Sequence, residues 1–100
     1  MIVVSVLYPN EGKFDETYYH GTHMRLVKER WSSMGLIDAK FLKGMATPDG
    51  GNVPYRLITL LYFDSLEKFQ RAADKHAAEI FADIPKFTDA SPMVQINKHV

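Results

Sequence analysis

His23 is the residue of this sequence whose chemistry connects most directly with catalysis. It lies on a helical stripe of mainly apolar residues that includes Tyr19 and continues to Met34. An apolar setting lowers the pKa of a histidine, which then stays neutral and available as a base near pH 7. Val27, on the same stripe, would line a ligand pocket beside it. Spacing alone favours the alternative, a packed imidazole that binds a backbone carbonyl.

Other polar side chains could complete a site around this histidine. Asp83 stands near the end of the second predicted helix, where the helix dipole disfavours a carboxylate and a hydrogen-bonding role is plausible. It could orient an imidazole, although a solvated charge is the simpler explanation. Tyr8, Tyr19 and Tyr62 could offer phenol donors to a ligand, although each would also suit an apolar core.

One group of side chains could bind a metal, and one further histidine lies apart from it. Glu16, His20 and His23 share a helical stripe and could together hold zinc or iron. The helix dipole already explains an acidic residue in the first turn, so we expect no metal and no cofactor. His76 lies at the edge of the second helix, and we predict a boundary residue there, with ligand binding as the alternative.

Composition and motifs exclude several function classes. The chain has no cysteine, which removes thiolate catalysis and thiolate metal sites. Its twelve basic and twelve acidic residues balance, so nucleic acid is not an expected partner. The strand Tyr55–Phe63 lacks the RNA-recognition pattern, and no phosphate loop or Gly-x-Ser-x-Gly turn is present. The first eight residues lack the features of a signal peptide or membrane span, so we expect a cytoplasmic protein without a membrane partner.

The order of predicted elements is β-α-β-β-α-β in one domain, residues 1–100. This order indicates a ferredoxin-like α+β fold, a four-stranded antiparallel sheet with both helices on one face and strands one and three central. The predicted strands are Ile2–Tyr8, Ile37–Ala46, Tyr55–Phe63 and Met93–Val100, and the predicted helices are Asp15–Met34 and a segment from Asp64 to just before Pro85.

Local signals mark the helix ends. Asp15 is the expected cap of the first helix and Gly35 its stop, with a kink or break expected near Gly21. Asp64 is the expected cap of the second helix, because Glu67 follows at the capping-box spacing.

Both faces of the predicted sheet carry large apolar side chains. In the third strand, Leu57, Leu61 and Phe63 share one face, and Ile58, Leu60 and Tyr62 share the other. Two helices cover only one face, and monomers rarely expose such a large apolar patch. We therefore expect a homodimer in which a second copy covers the open face, forming a dimeric α+β barrel. The alternative is that the outer residues are ordinary packing at the edge of the core around a small-molecule site.

Four segments give the chain a family resemblance. Residues 14–27, Phe-Asp-Glu-Thr-Tyr-Tyr-His-Gly-Thr-His-Met-Arg-Leu-Val, resemble the EthD family's pattern of Phe-Asp, a Tyr-Tyr pair, Thr-His-Met and Leu-Val. Residues 3–10, 82–89 and 92–96 are similar to its first strand, second signature and closing strand. Arg25 departs from the pattern, since proline often follows Thr-His-Met in the family.

The resemblance implies a dimeric barrel linked to the degradation of ethers and aromatic compounds, and it makes His23 and Asp83 the best site candidates. Related barrels include cofactor-free monooxygenases, muconolactone isomerases and polyketide cyclases. Our first hypothesis is a cofactor-free proton-transfer enzyme, of isomerase, dehydratase or decarboxylase type, acting on a small aromatic or polyketide-like compound. The alternatives are a non-catalytic ligand-binding protein and, more weakly, a haem-handling or monooxygenase-type barrel with His76 as the haem ligand.

Overall fold

Four strands form one antiparallel sheet with helices on one face in the computed structural model, which describes residues 1–100. The sheet order β2-β3-β1-β4 confirms the ferredoxin-like α+β fold, with β1 and β3 central. The elements in chain order are β1 (Ile2–Pro9), α1 (Glu16–Tyr18), a π-helical turn (Tyr19–His23), α2 (Met24–Trp31), a 3₁₀ turn (Ser32–Met34), β2 (Leu36–Lys43), β3 (Tyr55–Phe63), α3 (Leu66–Asp83), a 3₁₀ turn (Ile84–Lys86) and β4 (Met93–Lys98).

The first helical region is divided into pieces instead of running as one helix. Asp15 caps it as predicted, since its carboxylate accepts a hydrogen bond from the Tyr18 backbone N–H at 3.0 Å. The expected break around Gly21 is the π-helical turn, and the region ends where Gly35 adopts a φ of 106°. This positive φ is the reason for a glycine at that position.

Several predicted boundaries differ from the structure. The cap of α3 is Ser65 and not Asp64, because Ser65 has an extended backbone and its hydroxyl accepts from the Lys68 N–H at 3.2 Å. The Asp64 carboxylate instead pairs with the Lys68 ammonium. Strand β2 is shorter than predicted, because its pairing with β3 ends at Lys43. Strand β4 ends at Lys98, which pairs with Ile2 at the beginning of β1.

The sheet has an inner face under the helices and an outer face without cover from this chain. Leu57, Leu61 and Phe63 are buried on the inner face, as predicted from their alternation. The register pairs Leu7 with Ile58 across β1 and β3, which places both on the outer face. None of the helices combines the length and apolar composition that a membrane-spanning helix requires.

Candidate active site

A buried histidine–carboxylate pair lies between the helices. Nδ1 of His23 is 3.0 Å from Oδ2 of Asp83, and the histidine is only 3% exposed. The other carboxylate oxygen, Oδ1, accepts a hydrogen bond from the Tyr18 hydroxyl at 2.8 Å. The Lys86 ammonium lies 3.6 Å from the same oxygen. The partner of the imidazole is therefore a carboxylate and not the backbone carbonyl that spacing alone favoured.

The π-helical turn is what allows two side chains of one helix to reach Asp83. Tyr18 and His23 are five residues apart, so on a regular α-helix of 3.6 residues per turn they would face apart. A backbone hydrogen bond from Met24 N–H to the Tyr19 carbonyl closes the wider turn. Both side chains therefore bind the same carboxylate.

The chain that follows α3 is tied to the beginning of α1, and this holds the pair together. The Asp15 N–H donates to the Phe87 carbonyl at 2.8 Å. The Thr88 hydroxyl donates to the Lys13 carbonyl at 2.7 Å, and Phe14 forms an antiparallel bridge with Thr88. The Thr88–Lys13 contact joins residues that are 75 positions apart in sequence.

The electrostatics of the pair define which imidazole nitrogen carries the proton. Burial alone would raise the pKa of Asp83, but hydrogen bonds from His23 and Tyr18 lower it below its usual value. Burial lowers the pKa of His23, and the carboxylate only partly opposes this effect. At neutral pH, Asp83 is therefore ionised and can only accept, so Nδ1 carries the proton. The Nε2 atom is then an unprotonated base.

Aromatic rings exclude water from the imidazole. The Tyr19 ring stacks on the imidazole, with the two ring centroids 5.5 Å apart. The centroid of the Phe87 ring lies 4.7 Å from that of the imidazole. Apolar surroundings of this kind disfavour the imidazolium form. The rings are thus part of the burial that lowers the pKa of His23.

A second polar group lies beside the histidine. The Tyr19 hydroxyl and the Thr59 hydroxyl share one hydrogen bond across the helix–sheet interface. Burial raises the pKa of Tyr19 to about 12, so the phenol stays protonated. Burial, and secondarily Tyr19, also raises the pKa of Tyr8. Two hydroxyls hold two protons and one hydrogen bond uses one, so this pair can still donate to a third group.

An apolar cavity of about 110 Å³ lies between the sheet and the helices, and both polar groups reach it. Its two polar lining residues are His23 and Thr59, and Tyr8 and Tyr19 also line it. The imidazole Nε2 has no hydrogen-bond partner in the protein. A ligand in the cavity would therefore meet a neutral base and a hydroxyl donor in apolar surroundings. The remaining lining residues are aliphatic or aromatic: Val4, Val6, Met24, Val27, Trp31, Leu61, Phe69, Ala73, Ala77, Ile80, Phe81, Ile84 and Val94.

The structure gathers most of the candidate residues and separates two of them. His23, Tyr19, Tyr8 and Val27 line the cavity, and Asp83 supports His23 from behind. The other two candidates lie elsewhere. Tyr62 pairs with Val3 on the outer face of the sheet, where its ring stacks on His99. His76 lies outside the cavity lining, 3.8 Å from Glu79.

The metal alternative has no matching geometry. Glu16 pairs with Lys43 at 3.2 Å, whereas His23 pairs with Asp83. No three metal-ligating side chains come together anywhere in the chain.

Sequence reasoning missed three residues of the site. Tyr18 is the second hydrogen-bond donor to Asp83. Thr59 is the hydrogen-bond partner of Tyr19, and the Phe87 ring packs against the imidazole. Two of them had a signal in the sequence, because Tyr18 belongs to the Tyr-Tyr pair of the EthD-like pattern and Phe87 lies in the segment 82–89 that resembles the second signature.

The lowered pKa of His23 predicts that acid destabilises the fold. Above the ordinary histidine pKa of 6.5, the side chain is neutral in both the folded and unfolded states. Below it, the unfolded chain binds a proton that the folded chain resists, so the free energy of unfolding should fall by up to about 1.4 kcal/mol per pH unit. Urea unfolding between about pH 7 and pH 5 measures this slope. His23→Gln should flatten it, and equal slopes in the two proteins would contradict the prediction.

Comparison with known proteins agrees with the pattern in the sequence. The family model of the EthD domain matches residues 12–91. An EthD-like protein from Ralstonia eutropha JMP134 has 34% identity and a TM-score of 0.88, with 97% of this chain and 89% of that chain covered. An ethyl tert-butyl ether D (EthD) family protein from Bacillus halodurans C-125 has 23% identity and a TM-score of 0.82, with 100% and 99% covered.

Similarity in fold alone includes proteins of lower sequence identity. A dimeric ferredoxin-like protein from an uncultured marine organism has 17% identity and a TM-score of 0.56, with 100% of this chain and 95% of that chain covered. Among curated proteins, none is similar enough to count as a match. The family model spans most of the sequence, and the Ralstonia protein is similar over nearly the whole of it. This chain therefore belongs to the EthD family.

Proposed function

We propose that this domain binds a small hydrophobic compound, aromatic or polyketide-like, in the inner cavity and transfers a proton to or from it through His23. The observation that carries the proposal is a buried imidazole with Nδ1 bound to Asp83 and no protein partner on Nε2, at the wall of an apolar cavity. A neutral imidazole in such surroundings has the protonation state that a general base needs near pH 7. No metal or organic cofactor is part of the proposal.

The proposed step begins with a C–H bond next to a carbonyl group of the ligand. Nε2 of His23 takes the proton, and the electron pair of the C–H bond moves onto the carbonyl oxygen. The free hydroxyl proton of the Tyr19–Thr59 pair donates to that oxygen as its negative charge develops. Asp83 stabilises the imidazolium formed, as a carboxylate does when it holds the far nitrogen of a catalytic histidine. Where the ligand has a β,γ double bond, return of the proton to the γ-carbon of the dienolate completes a double-bond isomerisation.

Exchange of ligand protons with solvent tests this step without knowledge of the natural substrate. Phenylacetone carries acidic C–H groups beside its carbonyl and an apolar ring. In deuterated water, NMR should show its methylene protons lost faster with protein than with buffer alone. The rate should saturate with phenylacetone concentration, as expected for a bound complex. Exchange at the buffer rate despite saturable binding would contradict the proton-transfer proposal.

That contrary result would favour the second candidate function, a protein that binds its ligand without catalysis. One observation supports this alternative. The cavity is lined almost entirely by apolar side chains, which give affinity for hydrophobic compounds whether or not a reaction follows. The haem-binding alternative has no comparable support, because His76 lies outside the cavity lining.

We further propose that the working form is a homodimer joined through the outer faces of two sheets. Leu7, Ile58 and Leu60 lie on that face, and Leu42 beside them is 52% exposed. Burial of such side chains contributes on the order of 1.5–3 kcal/mol each. The marine neighbour with the same fold is described as dimeric.

Light scattering across a dilution series tests the dimer. The chain mass is 11.4 kDa, and we expect twice that value for the wild type. Leu60→Lys should shift the mass toward one chain, whereas Leu66→Lys, at the beginning of α3, should not. A wild type that stays at one chain mass at every concentration would contradict this proposal.

A further inference from the structure

Two concave spaces meet at one wall near the end of α3. The inner cavity has a volume of about 110 Å³, and an outer groove of about 530 Å³ is more open to solvent. Phe81 and Ile84 line both of them. Phe81 is 48% exposed, so its ring lies at the boundary between the protein interior and solvent. The inner cavity and the outer groove are thus neighbouring spaces separated by these two side chains.

The inner cavity is too small for a drug-sized ligand. An apolar cavity of roughly 150 Å³ holds benzene, and sites for larger compounds measure about 300 Å³ or more. At about 110 Å³, the space beside His23 is smaller than that, so it is suited to an apolar group no larger than a benzene ring. For a larger ligand that places this group beside the imidazole, the outer groove is the neighbouring space, past Phe81 and Ile84.

The outer groove differs from the inner cavity in its chemistry. Its far side is formed by the segment 88–92, between the 3₁₀ turn and β4. Thr88 uses its hydroxyl within the protein, donating to Lys13 and accepting from the Ala90 N–H. Asp89 and Ser91 make no side-chain hydrogen bond or ion pair with the rest of the chain. The groove therefore presents a free carboxylate and a free hydroxyl to whatever enters it.

We infer that the ligand is elongated and amphipathic, with an apolar end in the inner cavity beside His23 and a positively charged or hydroxyl-bearing end in the outer groove beside Asp89. This inference rests on the proposed function and adds the class of compound to it. Phe81 and Ile84 contact the middle of such a molecule. The Asp89 carboxylate repels a carboxylate at the polar end and attracts an ammonium group.

A series of probes of increasing length distinguishes binding in the inner cavity from binding in the outer groove. Benzene is the probe for the inner cavity alone, and phenylalkylammonium ions with two, four or six methylene groups reach progressively further. Phenylalkanoates of equal length reverse the end charge. Trp31 is the only tryptophan of the chain and lines the inner cavity, so its fluorescence reports occupancy there and yields Kd for every probe.

We expect affinity to rise with chain length by about fourfold for each methylene group that becomes buried. At equal length, the ammonium probes should bind roughly two- to fivefold more tightly than the uncharged alkylbenzenes, and the carboxylates more weakly. Asp89→Asn should remove this charge preference. Asp74→Asn, which removes the same charge from an exposed position on α3, should keep it.

Two results would overturn the inference in different ways. If benzene and the ammonium probes both leave Trp31 fluorescence unchanged, the ligand-binding function is wrong, and the inference is overturned together with it. If benzene binds but chain length and end charge change Kd by less than about twofold, the proposed function stands and the inference alone is overturned.

Discussion

Replacement of His23 by glutamine is expected to slow deuterium exchange into bound phenylacetone by at least about a hundredfold, the lower end of what a general base contributes. Glutamine is similar in size, and its amide can still donate a hydrogen bond to Asp83. It cannot take a proton from carbon. The Kd of phenylacetone should therefore change little while the exchange rate falls. NMR measures both quantities in one titration.

The matched control is His76→Gln, which removes an imidazole that lies outside the cavity lining. Its exchange rate should equal that of the wild type. If His23→Gln retains the wild-type rate while its Kd is unchanged, the base is another group and the proposed mechanism is wrong. A parallel loss of rate and binding, with a reduced free energy of unfolding, would show damage to the fold.

Replacement of Asp83 by alanine should lower the free energy of unfolding by about 1–3 kcal/mol, because it leaves the Nδ1–H of His23 without an acceptor in a buried position. Asp83→Asn should cost less, since the amide oxygen can still accept that hydrogen bond. Urea unfolding of the three proteins gives the comparison. Equal stabilities for Asp83→Ala and Asp83→Asn would show that the hydrogen bond contributes nothing to folding.

The asparagine variant also separates a positioning role for Asp83 from a purely structural one. The carboxylate raises the pKa of His23 against the effect of burial, so its removal should lower this pKa further. The acid limb of the exchange rate should therefore shift to lower pH in Asp83→Asn. A base with a lower pKa is also weaker, so the rate at high pH should fall. An unchanged pH profile would mean that the carboxylate only supports the fold.

The fold could be predicted from the sequence because its signals are local and agree with one another. Alternation of apolar residues along β3 defined both faces of the sheet, and the Asp15 cap and Gly35 stop bounded the first helical region. The predicted cap of α3 was wrong, because Asp64 and Ser65 are adjacent and both are good capping residues. The backbone conformation that selects Ser65 depends on how the chain leaves β3.

The site could be predicted only in part, because its contacts join distant segments. His23 and Asp83 stood out by position on their helices, and they form a direct hydrogen bond. Tyr18 was missed because 3.6 residues per turn places it away from His23, and nothing in the sequence fixes a π-helical turn of that width. Thr59 was missed because a threonine in a strand has no distinctive spacing.

The position of Tyr62 on the outer face, by contrast, could have been predicted from the sequence. Alternation along β3 placed it with Ile58 and Leu60, on the face opposite to Leu57 and Leu61. A phenol on that face cannot reach a cavity under the helices. Tyr19 and Tyr8, which extend from the helical side and the inner face, line that cavity instead.

The protonation state of His23 is the central claim, and nitrogen-15 NMR of its imidazole measures it directly. A titration of the uniformly labelled protein reports the chemical shifts of both ring nitrogens at each pH. We predict a pKa below the ordinary value of 6.5 and, at neutral pH, a neutral ring with the proton on Nδ1. An imidazolium at neutral pH, or a neutral ring with the proton on Nε2, would contradict the account, because neither form can take a proton at the cavity wall.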